Sequence, residues 1–186
     1  PIAAAAGRLL PDVRLRRRAM SVIDRRGPVD IGAGDDRIDA DAVVVAVPVR
    51  LVTELEFDPP LPSEQREAFE GLPMGVASKL ALPLGGEPER CAIQCADLPF
   101  WFWVADGDDG RPRRVVTSFA GSELPQEALA TASGDPRVWE RRIVELAPEL
   151  RPNGSAVMKV WGHDALSRGA YSAWDHPSVA RRPQFE

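Results

Sequence analysis

Residues 42–47 of the chain have the sequence AVVVAV and are followed by Pro48. A continuous apolar run of this length, rich in β-branched residues, is typical of a β-strand buried on both faces. Three short runs that favour extended structure precede it, at residues 13–17, 19–24 and 29–32. This pattern predicts a β-meander followed by a fully buried strand, which indicates one part of a larger α/β sheet.

The segment after this run contains a proline-rich stretch at residues 59–62, PPLP, which predicts a rigid linker and the main domain boundary. Ser63 is expected to cap a short helix that extends through residue 71. Strands are predicted at residues 74–84, 91–95, 100–104, 114–119 and 155–161, and helices at residues 124–131 and 135–146. The predicted fold class is therefore α/β (α+β), with a mixed sheet over residues 69–161 and helices against it.

Composition narrows the classes of protein to consider. The 186 residues are 44% hydrophobic and 27% charged, which is ordinary for a globular protein, and the net charge of −5 disfavours a nucleic-acid binder. No run of 18 apolar residues and no targeting segment is present, so we expect no membrane partner and a cytoplasmic location. Cys91 and Cys95 are too far apart on a predicted strand, about 13 Å, to form a disulfide.

Two motifs resemble ligand sites but lack essential parts. The sequence GAG at residues 32–34 follows a strand, yet it lacks the third glycine and the helix of a dinucleotide-binding loop, so a hairpin turn is the better interpretation. The acidic residues 106–109 lack the final glutamate of a calcium loop.

The two histidines lie in a loop without metal-ligand spacing, so no metal site is predicted. The arginine-rich residues 14–18 are interpreted as a solvated strand face rather than a phosphate site.

Three segments carry a more specific pattern when they are taken together. They are ADAVVVAVP at residues 40–48, the PPLP linker followed by LPMGVASK at residues 72–79, and WGHD with SRGAYS at residues 161–164 and 167–172. In this order and spacing they resemble the flavin-containing amine oxidases, which include monoamine oxidases, polyamine oxidases and bacterial L-amino acid oxidases. The resemblance extends through nearly all of the chain.

The resemblance also implies a domain organisation. Residues 1–58 correspond to part of an FAD-binding domain, residues 59–161 to a substrate-binding domain, and residues 162–186 to a return segment towards the FAD-binding domain. The N-terminal G-x-G-x-x-G loop and the C-terminal flavin-contacting segment of the family have no counterpart in the sequence. An internal fragment that is inactive on its own is therefore expected.

Several site residues follow from the resemblance, position by position. Lys79 matches the family lysine that reaches flavin N5 through a water molecule. Val13, Ala46 and Leu51 match positions that border FAD, and Trp161 matches a tryptophan near the flavin ring.

Two neighbouring positions in the SRGAYS segment have separate roles in the family. Tyr171 matches one wall of the aromatic cage around the substrate amine. Ala170 occupies the position of the cysteine that binds flavin covalently in mammalian monoamine oxidases, so noncovalent FAD is implied.

The residue pattern alone leaves some of these roles open. Period two places Ala77, Lys79 and Ala81 on one face of a strand, where small neighbours leave room for the lysine, although a surface lysine is the plainer interpretation. Trp101 and Trp103 share one face of the aromatic strand at residues 100–104, where they line a substrate cavity or pack in a core.

The implied reaction is the oxidation of an amine or amino acid to an imine, with reduction of O2 to H2O2. The implied enzyme is an FAD-dependent amine oxidase whose partners are a small-molecule amine or amino acid and O2. A homodimer, or association with the remaining parts of the same enzyme, is a further expected partner. Two alternatives stay open at this point: a flavin-free interaction module, and another flavoenzyme of the same scaffold, of the desaturase or protoporphyrinogen oxidase type.

Overall fold

A computed structural model describes residues 7–10, 12–173 and 182–185 of the chain. The chain divides into two compact units, Pro1–Glu70 with Pro183–Glu186, and Gly71–Arg182. Both units combine sheets with a few short helices, so the predicted α/β class is confirmed. The predicted domain boundaries remain predictions, because a division by packing assigns no FAD-binding or substrate-binding role. Much of the predicted return segment, at residues 174–181 and 186, lies outside the described residues.

The first unit contains a four-stranded sheet of order β3-β2-β1-β4. Its strands are β1 (Ser21–Asp24), β2 (Val29–Ala33), β3 (Asp36–Ala40) and β4 (Glu56–Asp58), and its helices are α1 (Val49–Val52) and α2 (Ser63–Gly71). β1, β2 and β3 form an antiparallel meander in which β1 and β2 match predicted strands and β3 was not predicted, and β4 pairs with β1 in parallel. Gly34 has a φ of 67° in the two-residue connection between β2 and β3, a conformation that favours glycine. The GAG sequence is thus part of a hairpin, as expected.

Two predicted strands of the first unit are wrong. Residues 42–47 are not a strand, and Val44 has 90% of its surface exposed. An apolar run becomes a buried strand only where strands on both sides pair with it, and no strand of the described residues does so. Residues 13–17 are not extended either, because the chain turns at Leu15 and Arg16, where Arg16 has a φ of 59°.

The second unit contains a five-stranded sheet of order β10-β6-β9-β8-β7 and a two-stranded sheet of β5 and β11. The strands are β5 (Met74–Gly75), β6 (Ala77–Pro83), β7 (Cys91–Gln94), β8 (Phe100–Val104), β9 (Val115–Gly121), β10 (Val157–Val160) and β11 (Tyr171–Ser172). Every pairing in the larger sheet is antiparallel, so the expectation of mixed pairing over residues 69–161 is corrected. Hairpins join β7 to β8 and β8 to β9, and such connections produce antiparallel pairs.

One face of the five-stranded sheet carries the core of the second unit. Helices α3 (Glu123–Ala128) and α4 (Arg137–Leu146) follow β9. Alternate residues of the strands pack with α4 on this face, and the largest of these buried side chains are Leu80, Leu82, Phe100, Phe102 and Trp139. Asp135 accepts a hydrogen bond from the Arg137 N–H at 3.0 Å, as expected of a carboxylate that caps α4. None of the helices in the described ranges is long and apolar enough to cross a membrane.

Candidate functional site

The second face of the five-stranded sheet carries most of the predicted site residues of this unit. Strand pairing places one row of side chains across this face: Lys159, Lys79, Phe119, Trp101 and Gln94. A second row, one pleat further along, consists of Val157, Ala81, Thr117, Trp103 and Ala92. Because directly opposed residues in an antiparallel sheet point to the same side, these ten positions form one surface, called here the open face.

Lys79 and Trp161 are in direct contact at one end of the open face. The Lys79 Nζ atom lies 5.8 Å from the centroid of the Trp161 ring, within the range of a cation–π interaction. Strand β10 ends at Val160, which pairs with Ser78, so the short 3₁₀ turn Trp161–His163 begins beside Lys79. The predicted proximity of residues 79 and 161 is therefore produced by pairing between strands that are far apart in sequence.

Lys159 lies directly opposite Lys79 on the neighbouring strand. Like charges in this position repel each other, but Lys159 forms a salt bridge with Asp164. The hydrogen bond from Lys159, together with one from the Leu166 N–H, lowers the pKa of the Asp164 carboxyl. The charge of Lys159 is thus neutralised locally, while the Lys79 ammonium group lies over the Trp161 ring.

Tyr171 lies against two glycines next to the same face. A Cβ atom at Gly75 would be 2.5 Å from Tyr171 Cε2, and one at Gly121 would be 3.2 Å from the Tyr171 hydroxyl oxygen. The Ala170 N–H donates a 2.9 Å hydrogen bond to the Gly75 carbonyl, which fixes β11 beside β5. Gly121 follows Phe119 by two residues on β9, so the Tyr171 hydroxyl lies at the edge of the open face.

Aromatic side chains continue from Tyr171 across the sheet. The Cβ position of Gly121 is also 3.1 Å from Phe119 Cε1, and the Phe119 ring contacts the Trp101 ring with centroids 4.6 Å apart. Trp101 is 39% exposed, and Trp103 is half-buried in the next row. The predicted alternation is therefore confirmed: Phe100 and Phe102 pack in the core, whereas Trp101 and Trp103 lie on the open face.

The predicted FAD-bordering residues Val13, Ala46 and Leu51 lie in the first unit. Val13 is 49% exposed, Ala46 is exposed, and Leu51 is buried within α1. Ala46 was expected to border FAD near the end of a buried strand, but residues 42–47 do not form one. Their roles towards FAD remain predictions, as do those of Lys79, Trp161, Tyr171, Trp101 and Trp103.

Three residues of the site were missed by the sequence analysis. Phe119 was placed at the end of a predicted strand, yet it lies two residues inside β9 and joins Trp101 to Tyr171. Period two along the predicted strand places Phe119 on the same face as Thr117 and opposite to Ser118, which was a usable signal for its direction. Gly75 and Gly121 carried no such signal, because only the placement of Tyr171 explains the lack of a side chain at these positions.

Comparison with known proteins identifies the family. The model of the flavin containing amine oxidoreductases matches residues 1–183. The chain belongs to this family. It is 25% identical over 150 residues to the dog (Canis lupus familiaris) protein named amine oxidase [flavin-containing] A, an alignment of 74% of this chain and 28% of that protein. The horse (Equus caballus) protein of the same name is 23% identical over 157 residues, covering 77% of this chain and 29% of that protein.

Solved structures of amine oxidases share this fold. Cyclohexylamine oxidase from Brevibacterium oxydans IH-35A superposes with a TM-score of 0.71 at 16% identity, over 97% of this chain and 42% of that one. Wild-type putrescine oxidase bound to putrescine superposes with a TM-score of 0.66 at 21% identity, over 95% of this chain and 41% of that one. The chain thus spans less than a third of the curated relatives named above and about two-fifths of these structures.

Proposed function

We propose that the complete protein oxidises a primary amine with O2 and that this chain supplies the substrate-binding face and the lysine beside the flavin. In the net reaction, RCH2NH2, O2 and H2O give RCHO, NH3 and H2O2. The observation that carries the proposal is the Lys79 ammonium group over the Trp161 ring, on the same sheet face as the Phe119 and Tyr171 rings. Family membership supports this activity.

The open face has side chains suited to a flavin edge. An isoalloxazine ring system needs flat apolar surfaces and a hydrogen-bond donor near N5, and a lysine ammonium group supplies three donors. Lys79 is exposed on β6, and the small side chain of Ala81 beside it leaves space above the strand for such a ring. A bound flavin would supply the acceptor for the hydride equivalent of the amine carbon and the route of the electrons to O2.

Lys79 is proposed to act through its charge. A fixed cation stabilises the negative charge that develops on oxygen as O2 is reduced. Because the cation is already in place, no side chain has to move as the charge develops. The cation–π contact with Trp161 holds the ammonium group in place, because the indole face attracts it at 5.8 Å. Period two on β6 then directs Lys79 to the open face rather than towards α4.

Tyr171 is proposed to orient the substrate amine. Its ring is held against Gly75, and its hydroxyl oxygen lies 3.2 Å from the Cβ position of Gly121. An aromatic face next to the reacting carbon excludes water and restricts the direction from which the amine approaches. Ala170 precedes it and carries no sulfur atom, so we propose that FAD is bound noncovalently.

The experiment that tests this function uses the complete protein that contains this chain, with Lys79→Met as the variant. Stopped-flow spectrophotometry measures flavin reduction by amine and flavin reoxidation by O2 separately. We expect reoxidation to be slowed by about 100-fold or more, whereas flavin reduction is nearly unchanged, because the lost charge acts on the oxygen step. The matched control is Lys159→Met, since Lys159 lies on the same face but pairs with Asp164.

Three outcomes contradict the proposal. Equal slowing of both steps refutes the role of Lys79. Flavin reduction without H2O2 release indicates a different flavoenzyme on the same scaffold, such as a desaturase. A complete protein that binds no flavin indicates an interaction module.

A further inference from the structure

The open face carries a continuous aromatic surface that the oxidation chemistry itself does not require. We propose that the substrate is a monoamine with an aromatic or bulky apolar substituent, and that Trp101 is the residue that determines this preference. This inference rests on the proposed function, because it concerns the same site. It adds the chemical class of the substrate and a specificity-determining residue.

Aromatic side chains on three strands lead from Tyr171 to Trp101. The Tyr171 hydroxyl oxygen and Phe119 Cε1 both lie within 3.2 Å of the Cβ position of Gly121. The Phe119 ring in turn contacts the Trp101 ring, with a centroid distance of 4.6 Å and an angle of 37° between the rings. A substituent that extends from an amine beside Tyr171 therefore meets aromatic carbon along its length rather than polar groups.

Exposure within the second unit supports a binding role for this surface. Trp101 is 39% exposed and Tyr171 is 49% exposed, whereas Phe100 and Phe102 on the same strand as Trp101 are fully buried. Trp103 extends the surface in the next row. Exposed apolar side chains grouped in one patch mark interaction surfaces and ligand-binding grooves, and the proposed amine site lies at the edge of this patch.

The charges on this face argue against a second amino group in the substrate. None of the ten open-face positions is Asp or Glu, and two of them are Lys79 and Lys159. Asp164 lies nearby, but it is paired with Lys159. The distal ammonium group of a diamine placed along Phe119 and Trp101 would be desolvated without a carboxylate partner and repelled by Lys79, and burial of an unpaired charge is strongly unfavourable.

The test compares three probe amines with the flavin-loaded complete protein: 2-phenylethylamine, putrescine and methylamine. H2O2 release gives kcat/KM for each. We expect 2-phenylethylamine to exceed putrescine by about 100-fold or more, which corresponds to about 2.7 kcal/mol at a tenfold change for each 1.36 kcal/mol.

Variants then assign the preference to Trp101. Trp101→Ala is expected to lower kcat/KM for 2-phenylethylamine by at least about tenfold, mainly through KM, and to leave methylamine nearly unchanged, since methylamine has no substituent to contact the indole. Trp101→Phe should restore most of the loss. Leu124→Ala is the matched control, because Leu124 is an exposed apolar residue of the same unit but lies on α3, outside the open face. The partly exposed position of Trp101 allows truncation without loss of the core, and near-UV circular dichroism verifies the fold.

The outcomes separate the two proposals. A preference for putrescine, or an equal effect of Trp101→Ala on methylamine and 2-phenylethylamine, overturns this inference and leaves the amine oxidase function standing. An absence of H2O2 from every amine overturns both.

Discussion

Tyr171 illustrates how a single missing side chain positions a functional ring. A Cβ atom at Gly75 would lie 2.5, 3.0 and 3.2 Å from three ring atoms of Tyr171, which are distances at which the ring must move. Gly75 is extended rather than left-handed, so the requirement for glycine here arises from the ring and not from the backbone. The identity of residue 75 thus determines where the Tyr171 ring lies.

Substitution of Gly75 by alanine should therefore act on catalysis through Tyr171. In the flavin-loaded complete protein we expect Gly75→Ala to lower kcat/KM for an amine by about tenfold, because a displacement of about 1 Å at the substrate can cost up to about 100-fold. A double-mutant cycle with Tyr171→Phe and Tyr171→Ala measures the coupling. Gly27→Ala is the control, since a Cβ atom at Gly27 meets nothing within 4 Å. An undiminished effect of Gly75→Ala in the Tyr171→Ala background would show that the glycine acts elsewhere.

At the scale of single residues, the sequence predicted which side chains are present but not their neighbours. The facing direction of Lys79 followed from period two on β6, and it was correct. Its contact with Trp161 depends on the pairing of β6 with β10, strands separated by more than 70 residues, and spacing along the chain contains no information about that register. The contact of Phe119 with Trp101 depends in the same way on the register of β9 with β8.

At the scale of elements, α4 is attached to the sheet by a buried hydrogen-bond chain. The Trp139 Nε1–H donates to Ser118 Oγ at 3.0 Å, and the Ser118 hydroxyl donates to the Trp101 carbonyl at 2.8 Å. Trp139 and Ser118 are both fully buried. This chain connects the helix to the backbone of β8, the strand that presents Trp101 on the open face.

Removal of the Ser118 hydroxyl should therefore destabilise the second unit. Ser118→Ala leaves the buried Trp139 N–H without its partner, and we expect a loss of about 1–3 kcal/mol in the free energy of unfolding. Urea denaturation followed by tryptophan fluorescence measures it. Ser155→Ala, at an exposed position, is the control and should change stability by less than about 0.5 kcal/mol. A loss no greater than that of the control would show that the indole N–H finds another partner.

Some helices and strands were predicted accurately and others were wrong, and the errors have a common physical cause. β8 was predicted to the residue and β9 within two residues at each end, because both contain aromatic or β-branched residues that favour strands and both have strands on either side to pair with. Residues 42–47 carry no alternation, and an unbroken apolar run specifies a strand only together with the strands beside it. The helix at residues 135–146 was located well, since Asp135 and Pro136 mark its start.

At the scale of the whole molecule, the two units differ greatly in buried apolar volume. The second unit has a contiguous core of fourteen buried residues, among them Phe100, Phe102 and Trp139. Among the described residues of the first unit, the buried apolar side chains are Ala33, Leu51 and Ala68, and two of these are alanines. Burial of apolar surface is the main favourable contribution to folding, so the two units should differ in local stability.

Hydrogen exchange of this chain, followed by mass spectrometry, measures that difference. We expect the amides of β6, β8 and β9 to exchange at least about 100-fold more slowly than those of β1, β2 and β3, because strands over a large core open only with global unfolding. The two edge strands β7 and β10 should be intermediate. Equal protection in both units would mean that the first unit has stabilising contacts beyond its small core.

The pairing of β6 between β10 and β9 has an evolutionary consequence. A deletion of one codon within β6 would move the lysine to the apolar core beneath α4 and a leucine to the open face. A deletion of two codons would restore the orientation but shift the ammonium group by about 7 Å along the strand, beyond reach of the indole. Descendants of this gene can therefore exchange side chains in β6, but natural selection should remove nearly every change in its length.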